Sequence, residues 1–156
     1  MKKIPVRSPF GLIQEDLWPN EWAILVACMM LNMTSRKQME PVFREFIGAW
    51  STPEEFLLAN RDDVCELVKS LGFKNRRTDL LFKMTNSYLY DNWTHVRELP
   101  GIGEYAARAW EMFCLCEIGN SEPEDGALKT YWRWLNRREN EKTKRDKDQD
   151  DSKETT

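Results

Sequence analysis

Leu99-Pro100-Gly101-Ile102-Gly103, with Tyr105 close behind and Asp125 twenty residues beyond it, holds the residues best suited to chemistry. Pro100 removes a backbone donor and restricts the residue before it, so a helix ends there. Gly101 and Gly103 admit backbone angles and close approaches that a side chain would block. The following stretch, Glu104 to about Cys116, then starts a helix whose first N–H groups are free, an arrangement that binds phosphate. Read this way, the segment is a helix–hairpin–helix. Read blandly, it is a Gly-rich turn between core helices. Asp125 follows Pro123-Glu124 at the start of the last helical stretch. A carboxylate there either caps the helix or, held in place, stabilises developing positive charge and activates water. Glu124 is the rival acid.

The elements that must position these residues read almost entirely as helix. Trp22, Leu25, Val26, Met29 and Met30 keep a 3.6-residue period after Pro19-Asn20, and Met39, Val42, Phe43, Phe46 and Ile47 do so before Gly48. Thr52 is placed to cap Pro53-Glu54-Glu55. Val64, Leu67, Val68 and Leu71 predict a helix ending at Gly72, and Thr78 to about Tyr90 predicts another. Ala106, Ala109, Trp110 and Phe113 follow the hairpin, and Leu128, Tyr131, Trp132 and Leu135 form the last apolar stripe. No strand-like alternation interrupts them. The pattern predicts an all-α domain of seven to nine helices over residues 1–138. Residues 139–156 carry seven acidic and five basic side chains and no apolar face, which predicts a frayed or disordered tail.

Order and spacing together resemble the helix–hairpin–helix DNA glycosylases of the endonuclease III superfamily, closest to the thymine glycosylase domain of methyl-CpG-binding-domain proteins. The matching stretches are Arg7-Ser8-Pro9-Phe10 through Gln14-Glu15, Leu31-Asn32 with Thr34-Ser35, Leu71-Gly72, Gly101-Ile102-Gly103 with Tyr105, Phe113-Cys114 and Pro123-Glu124-Asp125. The resemblance implies a monofunctional enzyme that flips thymine or uracil mispaired with guanine out of duplex DNA and hydrolyses its glycosidic bond. It implies that Asp125 is catalytic and that Gln14 and Tyr105 form the base pocket. Bifunctional relatives carry a Lys where Tyr105 stands, and that amine forms a Schiff base which a Tyr cannot form. Phe73 matches a Leu that wedges into the duplex, and Met33 matches an Arg that fills the vacated stack. Gly101 and Gly103, with Arg36 and Lys37, are the expected phosphate contacts. Two positions depart from the family: Met33 lacks the Arg charge, and Gly126-Ala127 stands where His and Lys are common. The resemblance further implies a nuclear monomer that hands its product to downstream base-excision-repair enzymes. The alternatives are a catalytically weak DNA-binding and recruitment module, and a helical protein-interaction domain without a DNA role.

The net charge of −3 does not advertise a nucleic-acid binder, so basic residues would need to gather on one face. Arg36, Lys37, Lys74, Arg76, Arg77, Arg108 and Lys129 are the candidates, with solvated helix charge as the bland reading. Cys28 and Cys65 fall singly in helical patterns and read as buried thiols. Cys114-x-Cys116 is no zinc spacing, and His95 is the one histidine. Many family members hold an iron–sulfur cluster through four C-terminal cysteines. No cysteine follows Cys116, so neither that cluster nor any other metal or cofactor is expected. No apolar run approaches the 18 or so residues of a membrane span, and no signal peptide opens the chain, which predicts a soluble, intracellular protein.

Overall fold

The computed structural model describes residues 3–154. They form eight α-helices: α1 (Ile13–Leu17), α2 (Glu21–Leu31), α3 (Arg36–Ala49), α4 (Pro53–Leu57), α5 (Arg61–Val68), α6 (Lys74–Tyr90), α7 (Glu104–Phe113) and α8 (Gly126–Glu154). Single 3₁₀ turns cover Lys69–Leu71 and Val96–Glu98, and no strand occurs among the described residues. Short polar side chains start most helices by accepting an otherwise orphaned N–H. Asn20 accepts from Ala23, Ser35 from Gln38, Thr52 from Glu55 and Asn60 from Asp62.

Two apolar clusters form the core. One gathers α2 to α6, with Ile13 of α1 and Ala107 and Trp110 of α7, around Trp22, Phe46 and Phe56, and Phe56 is stacked on Phe82 at 4.5 Å between ring centroids. The other gathers Leu12, Ala106, Phe113, Leu128 and Tyr131 from the N-terminal segment, α7 and α8. Helix α2 belongs to both. Trp22, Leu25, Val26 and Met30 face the first cluster, and Ile24 and Cys28 the second. A helix apolar on all sides is a buried helix, and α2 is enclosed over nearly its whole length. The Glu21 carboxylate at its start accepts from Tyr88 Oη at 2.9 Å and from Trp110 Nε1 at 2.8 Å, tying α2 to α6 and α7. Buried Glu15 accepts from Ser8 Oγ at 2.8 Å and Leu12 N at 2.7 Å, which closes the N-terminal loop over α1.

Several boundaries differ from the sequence reading. Helix α6 begins four residues before Thr78, at Lys74, because Gly72 and Phe73 make the turn. The element before Pro100 is only the 3₁₀ turn Val96–Glu98, and α7 ends at Phe113 rather than near Cys116. Cys65 is only partly buried and donates to Asn75 Oδ1, whereas Cys28 is buried. Residues 139–156, expected to fray or be disordered, continue α8 as helix to Glu154, the last two lying outside the described residues. From Arg137 to Glu154 every residue is exposed.

Candidate active site

A cleft of about 610 Å³ opens where three segments meet. These are the end of α2 with Met33, the turn and first residues of α6 with Phe73, and the Gly101–Gly103 hairpin with the start of α7. Gly101 has φ +78, and a Cβ there would lie 2.9 Å from Met29 Cε and 3.2 Å from Leu80 Cβ. The backbone angle favours glycine, and a side chain there would also press on Leu80. Gly103 is the extended N-cap of α7 and faces open space where a Cβ would stand. No side chain caps α7, so its N-terminal dipole is available to an anion. Glu104, its first residue, brings a competing negative charge. Arg97 offsets it by pairing with Glu104 and, at 3.0 Å, with Glu111.

Met33 and Phe73 both line this cleft, at 80% and 68% exposure. Both also adopt left-handed backbone angles, φ 62 and φ 50. For residues other than glycine such angles cost about 1–3 kcal/mol, and burial cannot explain two exposed apolar side chains held this way. Each tip is followed by a helix with no acidic residue in its first turn: α3 opens with Arg36-Lys37 and α6 with Lys74, Arg76 and Arg77.

Behind the cleft, three side chains from distant segments meet. Gln14 of α1, 2% exposed, donates from Nε2 to Tyr105 Oη at 2.8 Å and to Cys28 Sγ at 3.6 Å. Burial pushes the Cys28 thiol up to about 12, so it stays neutral. Burial also raises the Tyr105 phenol, with Cys28 adding to the effect. The negative charge of Asp125 raises both groups further, which brings Asp125 within electrostatic reach of the trio. Asp125 itself is exposed, and its Oδ2 accepts from Leu128 N at 3.0 Å as the cap of α8. Gln14 and Asp125 do not line the cleft; Cys28 and Tyr105 do.

The expected basic contacts divide. Lys37 and Lys74 are exposed, and Arg76 is exposed on the cleft wall. Arg36 is engaged within the molecule, donating to Gly11 O and pairing with Asp16 and Glu40. Arg108 donates to Ile118 O at 2.6 Å and to Ser121 O. Arg77 is buried among backbone carbonyls. Sequence reading missed the place of Cys28 between Gln14 and Tyr105, for which the helical pattern held no signal. It also missed the anchoring role of Glu15, which the bare pairing with Ser8 could have suggested.

The chain is 36% identical over 132 residues to a methyl-CpG-binding domain protein 4-like protein of Arabidopsis thaliana, covering 85% of this chain and 30% of that protein. It is 30% identical over 109 residues to a thymine-DNA glycosylase of Aeropyrum pernix, covering 65% of this chain and 48% of the relative. A thymine/uracil-DNA glycosylase of Pyrobaculum aerophilum is similar to the same degree, covering 65% and 46%. The chain belongs to the helix–hairpin–helix DNA glycosylase superfamily. The fold agrees: a thermostable thymine-DNA glycosylase superposes with a TM-score of 0.57 over 62% of this chain and 48% of that one, at 18% identity. No protein-family model matches. This superfamily member spans less than half the length of the curated relatives it matches. Among its described residues no three His, Cys, Asp or Glu side chains group to hold a metal ion. No helix among them is long and apolar enough to cross a membrane.

Proposed function

We propose that this chain is a monofunctional DNA glycosylase that removes thymine or uracil opposite guanine by flipping the base out of the duplex. The observation that carries the reading is the meeting of Gln14, Cys28 and Tyr105 next to a cleft edged by Met33 and Phe73. Two exposed apolar tips suit insertion into a base stack, where a wedge offsets the cost of unstacking. The cationic starts of α3 and α6 and the uncapped start of α7 suit the flanking phosphates. Gln14 has its amide nitrogen committed to Tyr105 and Cys28, so its Oε1 is the atom to accept from the N3–H of a flipped pyrimidine.

Breaking the bond between C1′ and the base builds positive charge on the sugar. The Asp125 carboxylate, fixed by its bond to Leu128 N–H, stabilises that charge and orients the attacking water. The products are the free base and an abasic site. Tyr105 offers no amine, so no Schiff base forms and the strand stays whole.

The test is incubation with duplexes holding a central T, U or C opposite G. Strand breaks should appear for T and U after alkali and not before, and borohydride should trap no covalent adduct. Tight duplex binding without any excision would favour the recruitment-module reading. An adduct would move the chemistry to a lysine. The CpG preference, the nuclear location, the monomeric state and the hand-over to repair enzymes belong to the same proposal. Each has a direct assay: flanking-base variation, imaging, ultracentrifugation and pull-down.

A further inference from the structure

Arg77, in the first turn of α6, is 8% exposed and surrounded by carbonyl oxygens rather than carboxylates. Its Nε donates to Gly72 O at 2.9 Å and its Nη1 to Met29 O at 3.1 Å. Its Nη2 donates to Asn32 O at 2.6 Å and to Leu71 O at 3.2 Å. Burial lowers its proton affinity, and no neighbouring charge offsets that. A buried cation without a counter-ion is costly, so the four bonds have to account for it. Two of the carbonyls, Met29 and Asn32, end α2 and lead directly into Met33. The other two, Leu71 and Gly72, form the turn leading directly into Phe73. A helix C-terminus welcomes a cation, yet a lysine at this place would be one point charge. The planar guanidinium fork can reach both backbone segments at once.

We propose that Arg77 is the positioning residue that joins the Met33 and Phe73 tips into one rigid two-pronged unit, so that both enter a duplex together. The proposal rests on the reading of these tips as duplex-entering residues. It explains why two strained, exposed apolar residues hold their backbone angles. The carbonyl before each tip is anchored to the same side chain.

The probe is a duplex carrying a tetrahydrofuran abasic analogue opposite guanine, which reports tip entry without requiring excision. Three comparisons decide. Met33→Ala and Phe73→Ala should each weaken binding, and the double variant should depart from additivity by about ten-fold. Arg77→Lys should weaken binding by a similar factor in the native background. It should do so by less than about two-fold once both tips are alanine, because the effect runs through the tips. A purely structural role would lower affinity equally in both backgrounds and would overturn the proposal. Additive tip variants would overturn it while leaving tip entry intact, and they need no change at Arg77 if Arg77→Lys fails to fold. If neither alanine variant alters binding, tip entry itself fails and the proposal falls with it.

Discussion

Asp125 caps α8 with the same carboxylate that is proposed to act on the sugar, and the two roles separate by substitution. Asparagine caps as well as aspartate. Asp125→Asn should therefore keep the melting temperature and mismatch binding while lowering single-turnover excision by about 10²-fold or more. Asp125→Ala should lose the same activity and also about 1 kcal/mol of stability, because the cap goes too. Near-normal excision by the Asn variant would shift the chemistry to Glu124 or remove it. Asp125 and Tyr105 are candidates because the family resemblance falls on their residue types and spacing, and their roles rest with the proposal. The places of Arg77 and Arg108 were not legible in the sequence. Each guanidinium is bound by backbone carbonyls, and a carbonyl belongs to every residue alike, so the partners leave no mark in the sequence. Counted as possible DNA contacts, both are committed inside the molecule.

At the level of elements, the hairpin contains two glycines that the sequence treats alike and the structure does not. Gly101 sits at positive φ against Met29 and Leu80, whereas Gly103 is extended with space around it. Gly101→Val should destabilise the fold by at least about 1–2 kcal/mol, the cost of the left-handed region for a side chain, with the clash added. Gly103→Val should lower the melting temperature less than Gly101→Val, by no more than a poorer helix cap costs, and should weaken binding to matched and mismatched duplex alike, since a phosphate contact positions without reading sequence. Equal melting temperatures for the two variants, or a loss confined to mismatched DNA, would contradict this division. Helix periods were legible because burial of one face writes itself into the residue pattern. The left-handed angles at Met33 and Phe73 were not, because neither residue is the glycine or asparagine that signals such a conformation.

Across the whole molecule, the buried hydroxyl and thiol groups predict an alkaline limit. Burial raises Tyr88, Tyr105 and Tyr131, three of the four tyrosines, and pushes Cys28 from 9.0 to about 12. The folded state thus holds protons that the unfolded chain releases. Stability is full below the ordinary range of these groups and falls as pH rises through it. Phenolate absorbance from the three should appear together with loss of helical circular dichroism. Their ionisation with the helix signal intact would refute the assignment. The all-helical fold was legible in the sequence, but a stripe reading of α2 undercounted its contacts. Ala23, Ile24, Ala27 and Cys28 are as enclosed as the stripe itself. That helix belongs to both apolar clusters, with Trp22 in one and Ile24 and Cys28 in the other, and α7 joins it there through Trp110 in the first and Phe113 in the second. Neither half can therefore melt while the other stays ordered, since each would have to strip the two shared helices of the other half's contacts. The molecule behaves as a single cooperative unit, and its amides should exchange slowest along α2, the helix that also ends beside Met33 at the cleft.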